Sequence, residues 1–398
     1  MTSIASALAE WVHTLDPSDD DLALAQRSLL DTVAVTLAAR DHPVTAMAAV
    51  LSEPGRWAAA GHVLDFDDLH MASTTHVSVV CVPVALATGG GARTYLAAAG
   101  VMARLGSTLG WSHYSAGWHA TCTAGAPAAA AGAAMALGLD AAGIATAIAL
   151  AVPAAGGVQR AFGTDAKSLQ VGFAAEAGIR AARLAAAGAT ADESALEEWL
   201  HLVGAKPGGF DITGPAVPGG LAIKIYPCCY ALQRPISAIA SLAAEADIDP
   251  AGIQRIDLRT PEAAVVPLIH HEPQTGLQGK FSLEYAAAAA LLDGYPGFAS
   301  FTDAAVSRDA ARRLVSVVQT TLEPGGDGLL DGELHATLHT RNEAAHQTAL
   351  KYPPGSPERP PSEAELSAKL ADCVAGLDTD PLSWTWQNAA GVLRRFLP

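Results

Sequence analysis

Apolar positions in the first half of the chain recur every three and four residues. After the acidic run Asp19-Asp20-Asp21 come Leu22, Ala25, Leu29, Val33 and Leu37, one helical stripe with carboxylates at the positive end of its dipole. Residues 92–109, 121–137, 141–151 and 165–187 have the same character, with Gly138, Gly156 and Gly188 near their ends as stops. Asp192 or Ser194 can open one more helix through Leu200. These segments carry few polar side chains, so they are predicted to be buried on most sides, in a multi-layer helical domain or a large interface between copies.

The pattern changes after Pro207. The Gly/Pro-rich stretch 206–220 reads as a linker. Beyond it residues 253–259 alternate, with Ile256 and Leu258 on one face and Arg255, Asp257 and Arg259 on the other, and residues 333–340 do likewise with Leu334, Ala336 and Leu338. Period two predicts strands with one wet face. Helical stretches at 235–246 and 282–292 lie between them. A second break at 352–363 precedes a helix opened by the capping box Ser362/Glu365, then an amphipathic segment with Trp384, Trp386, Leu393 and Phe396 that is expected to pack back on the helical domain. The predicted architecture is mainly α: a large all-helical domain of residues 1–220, completed by 353–398, and a smaller α+β domain of residues 221–352. No internal repeat is visible.

Composition narrows the function. Half of the 398 residues are hydrophobic and only 16% are charged, which excludes a disordered chain. The net charge of −16 and the lack of any Lys/Arg run exclude a duplex nucleic-acid binder. The five cysteines are an odd number without CxxC spacing, as expected of reduced thiols inside a cell. The N-terminus has no basic region of a signal peptide, and no segment reads as membrane-spanning, so a cytoplasmic protein without a membrane partner is expected.

Polar residues gather in islands. The densest runs from His62 through Asp65, Asp67, Asp68 and His70 to His76 and Ser78. Its donors suit a divalent ion, although no HExxH or CxxC pattern accompanies them. It could equally be a solvated turn, or an acid/base centre in which carboxylates and imidazoles tune one another. His119 stands just before the Ala-rich helix, where the dipole disfavours imidazolium and leaves an imidazole able to relay a proton; a plain cap is the alternative. Lys167 sits near the start of the 165–187 helix, unfavourable unless an anion binds there, though a solvated lysine is the bland reading. Lys224 precedes Tyr226-Pro227-Cys228-Cys229, whose adjacent thiols read as packing rather than catalysis. Gly89-Gly90-Gly91 lacks the context of a phosphate loop.

In this order, DFDDLH with His76-Val77-Ser78, GWHATCT, DAKSLQVGFAAEAG, IKIYPCC, GKFSLEYAAAAALLDG and GSPERPPSEAELSAKL resemble signature segments of the MmgE/PrpD family, which includes 2-methylcitrate dehydratase, cis-aconitate decarboxylase and iminodisuccinate epimerase. The resemblance implies a large helical domain, a smaller α+β lid, a homodimer and an active site in the cleft between domains, with no metal and no cofactor. By motif position Asp65, His76, His119, Lys167 and Lys224 match active-site positions. His70, Ser78 and Gln170 in the same segments are candidate substrate-binding groups. The chemistry implied is proton transfer at a carbon next to a carboxylate of a small di- or tricarboxylate held by lysines. Loss of hydroxide, loss of CO₂ or reprotonation on the opposite face would make the protein a dehydratase, a decarboxylase or an epimerase; a carboxylate-binding dimer without turnover is the non-catalytic alternative.

Four departures from the family pattern stand out. Leu69 replaces the Thr of DFDDTH, Val77 replaces the Pro of HPS, and Gln170 and Gln233 stand where many members have histidine. Glutamine cannot shuttle a proton near neutral pH.

Overall fold

A computed structural model describes residues 3–162, 164–205, 211–325, 331–342 and 344–398. The chain forms two compact units, Met1–Ala222 with Cys373–Pro398, and Ile223–Asp372.

The first unit is helical: α1 (Ile4–Thr14), α2 (Asp19–Ala38), α3 (Pro43–Met47), α4 (Glu53–Val63), α5 (Ser78–Ala87), α6 (Ala92–Ser115), α7 (Ala120–Ala136), α8 (Ala141–Ala151), α9 (Ala166–Ala186) and α10 (Ala195–Leu202). The predicted end at residue 109 coincides with Gly110, whose φ of +63° kinks α6 before it resumes. Helix α7 is the centre of the unit, packed by α5, α6, α8 and α9 and buried from Ala120 through Ala134. Its alanines make this possible, because small side chains let helix backbones approach. At Gly178 on α9 a Cβ would lie 2.3 Å from Ala129 Cβ, so only glycine permits that crossing. The first turn of α9 is thereby brought next to the first turn of α7, and those two turns carry Lys167 and His119.

The predicted linker 206–220 behaves otherwise. Residues 206–210 lie outside the described residues. The described part, 211–220, is fastened to α6 by Arg104, whose guanidinium donates to the carbonyls of Asp211 (3.1 Å), Ala216 (2.9 Å), Thr213 (3.3 Å) and Pro215 (3.3 Å). A stretch without side-chain pattern is ordered by its carbonyls, which composition does not advertise.

The second unit holds a four-stranded sheet in the order β2-β1-β3-β4. Strand β1 (Ile253–Pro261) runs parallel to β2 (Val318–Glu323) and antiparallel to β3 (Leu334–Thr340), which pairs antiparallel with β4 (Ala345–Leu350). Ile256 and Leu258 pair with Leu338 and Ala336 on the buried face. They pack with Ile236 and Ile239 of α11 (Gln233–Glu245), which leans on α13 (Leu283–Asp293) beyond the short α12 (Gly276–Gly279). Short helices α14 (Asp303–Val306) and α15 (Asp309–Val315) lead into β2.

The sequence reading places 353–398 with the helical domain, but residues 353–372 group with the second unit. Hydrogen bonds explain this: Ile223 N–H donates to Gly355 O at 2.8 Å and Phe298 N–H to Asp372 at 3.0 Å. The expected capping box opens α16 (Glu363–Cys373), with Ser362 N–H donating to Glu365 (2.8 Å) and Glu365 N–H to Ser362 Oγ (3.2 Å). The end of the chain does return to the helical unit. Trp384 is buried there and receives a bond from Gln26 at 3.1 Å, while Leu393 of α17 (Ala389–Phe396) is buried and Arg394 grips Glu53 through two bonds of 2.7 and 2.8 Å. Among the described residues no single helix is long and apolar enough to cross a membrane.

Candidate active site

The polar island after α4 folds over the starts of α5, α7 and α9. Asp65 turns the chain at φ +55°, a conformation Asp tolerates better than most residues. Thr121, in the first turn of α7, accepts the His76 backbone N–H at 3.0 Å. Residues 117–119 lie against 157–159, with His119 N–H donating to Gly157 O (3.0 Å) and Gln159 N–H to Gly117 O (2.8 Å). These hydrogen bonds place His76 and His119 at the first turn of α7.

Three imidazoles converge. The His62 ring centroid lies 4.8 Å from that of His76 and 5.5 Å from that of His119. Asp67 joins two of them: His62 Nδ1 donates to its Oδ2 at 2.7 Å, and His76 Nδ1 approaches the same oxygen at 3.1 Å without hydrogen-bond alignment. Both His62 and Asp67 are fully buried. Burial alone would raise the Asp67 carboxyl, but the two imidazoles overcome it and hold the group well below the usual carboxylate range. His62 is pushed down to about 4, first by burial and then by Lys167 and His76, against the pull of Asp67. It is therefore a neutral imidazole with its proton on Nδ1. His62 and Asp67 belong to the densest polar run of the sequence but were not among the residues its motifs single out; the five-residue spacing across a helix end gave no recognisable signature.

A second group meets the first through His119. Its Nδ1 lies 2.6 Å from Gln170 Nε2 and 3.2 Å from Cys122 Sγ. Phe162 stands edge-on to the His119 ring at 4.9 Å and lies 5.6 Å from Lys167 Nζ. Lys167 in turn pairs with Asp65 at 3.1 Å. Lys167 and Gln170, three residues apart on α9, share a face. Burial drives His119 well below the usual imidazole range, and His62, Lys167 and His76 push the same way against Asp67. Although His119 is the N-cap residue of α7, its side chain makes no capping bond. The imidazole is free of the bland role open to it in the sequence.

Two expected binding groups are engaged elsewhere. His70 is buried with Nδ1 on Ser73 Oγ (2.7 Å) and Nε2 on Pro218 O (2.7 Å), so both nitrogens anchor the loop. Ser78 is buried at the start of α5, its N–H donating to Asp68 Oδ1 at 3.0 Å and its hydroxyl bonded to Asp68 Oδ2, with Tyr95 OH at 2.8 Å. The polar side-chain atoms of both residues are bonded to protein groups. Burial raises Asp68 to about 6, opposed by Ser78 and reinforced by Asp31 and Asp67. A carboxyl whose folded pKa exceeds its unfolded value stabilises fully below pH ~3.8 and loses that contribution as pH rises through about 6, some 3 kcal/mol in all. Asp68→Asn keeps an acceptor for Ser78 and removes the ionisation. Its stability relative to wild type, measured by urea unfolding at pH 4 and pH 7, is expected to improve by about 2 kcal/mol between the two; an unchanged difference would refute the assignment.

In the second unit Lys224 is buried, as are Cys228 and Cys229, which lie in the apolar core as the sequence suggests. Gln233 is a clamp. Its Oε1 accepts the N–H groups of Ile225 (2.9 Å) and Tyr226 (3.0 Å), and its Nε2 donates to Tyr226 O (2.9 Å) and Cys228 Sγ (3.5 Å). An imidazole, with one donor and one acceptor when neutral, cannot replace that set. All five cysteines are buried.

His62, Asp67 and His76 bring three donor atoms within 4.8 Å of one another. The 2.7 Å between His62 Nδ1 and Asp67 Oδ2 is a proton-sharing distance, shorter than the roughly 3.3 Å separating two ligands on a tetrahedral ion. In this geometry His62 and Asp67 share a hydrogen bond and His76 lies beside them without one.

Two family models match the chain. The MmgE/PrpD N-terminal domain matches residues 56–201 and the MmgE/PrpD C-terminal domain matches residues 226–381. The chain belongs to the MmgE/PrpD family. Members of the MmgE/PrpD family are generally enzymes: dehydratases, decarboxylases and epimerases. The N-terminal match contains Asp65, His76, His119 and Lys167 as well as His62 and Asp67. Comparison with curated proteins returns no match.

Proposed function

We propose that the chain is a cofactor-independent lyase acting on a small di- or tricarboxylate, by proton transfer at the carbon next to a carboxylate. The observation that carries this reading is the neighbourhood of Lys167 to imidazoles kept neutral by burial. An ammonium steadied by Asp65 at 3.1 Å has two further N–H groups for a substrate carboxylate. A neutral imidazole beside it can take the adjacent C–H proton, leaving charge on the carboxylate-stabilised carbon. In dehydration that electron pair forms the C=C bond as hydroxide leaves and is protonated to water. In decarboxylation the C–CO₂ bond supplies the pair and a proton replaces CO₂. The overall charge of −16 does not oppose an anionic substrate, because local cations focus the field of a small site. Lys224 is proposed, from its motif position, as a second carboxylate-binding lysine.

A screen of small carboxylic acids tests the reading. A true ligand is expected to raise the melting temperature by mass action, with the same shift in the presence of a chelator. Turnover of that ligand in D₂O then separates the outcomes by mass spectrometry and NMR. Loss of water or CO₂ supports the lyase; solvent deuterium at the α-carbon without loss of either means an epimerase. Tight binding with neither change means a carboxylate-binding protein.

A further inference from the structure

The two glutamines that replace family histidines are both engaged, and one of them touches the imidazole on which the proposed chemistry depends. Gln170 reaches back from α9 to Val158: Val158 N–H donates to Oε1 at 3.1 Å and Nε2 donates to Val158 O at 3.3 Å. This pairing settles which end of the amide is which. Turning it over would set carbonyl oxygen against carbonyl oxygen and NH₂ against N–H. The group 2.6 Å from His119 Nδ1 is therefore an NH₂, which can only donate. His119 Nδ1 must accept, so it carries no proton, and the neutral ring keeps its proton on Nε2. The Cys122 thiol, 3.2 Å from the same nitrogen, is likewise on the donating side.

We propose that Gln170 is a positioning residue that holds His119 as its Nε2–H tautomer, making His119 a neutral hydrogen-bond donor to the carboxylate oxygen on which charge develops rather than a carrier of the transferred proton. The inference rests on the proposed lyase reading and divides its two imidazoles by role. Protonating His119 would place an N–H on Nδ1 against the Gln170 NH₂, so the imidazolium is opposed by geometry as well as by burial. Its place at the start of α7 opposes a positive charge again. A neutral imidazole is too weak an acid to surrender its proton in turnover, yet its N–H polarises an oxygen well. His119 Nε2 has no hydrogen-bond partner among the described residues. His62 shows the opposite arrangement. An acceptor, Asp67, faces its Nδ1 at 2.7 Å, so the proton sits on Nδ1 and Nε2 is bare. His76 approaches the same carboxylate with Nδ1. The transferred proton is left to the other imidazoles of the cluster, His62 or His76, and Gln170 and Asp67 set the tautomers of His119 and His62.

The test needs no substrate, so its failure is separable from failure of the lyase reading. Full-length protein is labelled with ¹⁵N in the histidine rings, and the His119 signals are assigned by their loss in His119→Phe. At pH 7, long-range ¹H–¹⁵N correlation is expected to show a protonated Nε2 and a bare Nδ1 for His119. Gln170→Glu offers an acceptor instead and is expected to move the proton to Nδ1 or to protonate both nitrogens. Should that variant fail to fold, Gln170→Met removes the donor at similar volume and is expected to give a mixture of tautomers. A wild-type His119 with its proton on Nδ1, or spectra unchanged in the folded variant, would overturn the proposal. The groups facing His119 (His62, His76, Asp67, Lys167 and Cys122) are present in both proteins, so a reversal reports Gln170 itself. Once a substrate is known, Gln170→Glu should lower kcat about 10²- to 10³-fold, the loss for one oxyanion donor, with KM little changed.

Discussion

Replacing His119 with alanine is expected to lower kcat roughly 10²- to 10³-fold, the effect of removing a placed hydrogen-bond donor, while far-ultraviolet circular dichroism and size-exclusion profiles stay those of wild type. Among the described residues the side chain bonds only to Gln170 and Cys122 and makes no capping bond, so its loss removes chemistry more than architecture. Lys167→Met is the companion. Lys167 and Asp65 are each about one-fifth exposed, 23% and 21%, and a pair screened by that much solvent holds the fold by no more than about 1 kcal/mol. A carboxylate lost from a charged donor forfeits about 1.5–3 kcal/mol, so KM should rise roughly ten- to a hundredfold with the melting temperature nearly unmoved. Full activity in both variants on a genuine substrate would show that the site lies elsewhere.

A clear stability effect is expected at Asp67. Asp67→Ala removes the hydrogen-bond partner of the buried His62 Nδ1–H, and leaving a buried donor unsatisfied costs roughly 1–3 kcal/mol. Asp67→Asn, which can still accept from His62, should lose markedly less. Chemical denaturation of the three proteins at pH 7 checks the order; equal stabilities would mean the pair is not buried as described. The same cluster shapes the acid limb. His62 has a folded pKa of about 4 against 6.5 unfolded, so its contribution is complete above pH 6.5 and is lost as pH falls toward 4. That contribution is about 3 kcal/mol. Asp68 trends the other way across much of this window, and wild-type stability alone therefore hides both. The variant differences reveal each.

Much of the architecture was legible before any coordinate. The helices at Asp19–Ala38, Ala120–Ala136 and Ala166–Ala186, the strands at Ile253–Pro261 and Leu334–Thr340, and the Ser362 capping box all follow from local periodicity and capping chemistry. Strands β2 and β4 did not. Val318–Glu323 is largely exposed and Ala345–Leu350 has no strongly apolar face, so neither edge strand carries the alternation that marks its neighbours. The family segments likewise marked Asp65, His76, His119 and Lys167, and the first unit connects all four through Phe162 and the imidazole cluster.

Local order along the chain thus determined which segments become helix or strand and which stretches hold chemistry, because those depend on neighbours a few residues apart. The tertiary structure alone decided what each polar group does, because a hydrogen bond is defined by its partner. His70 and Ser78 became anchors once Pro218 and Asp68 reached them. His62 and Asp67 became a buried pair. Gln170, in the sequence only an amide standing in for an imidazole, acquired its meaning when Val158 set its orientation and turned its NH₂ toward His119.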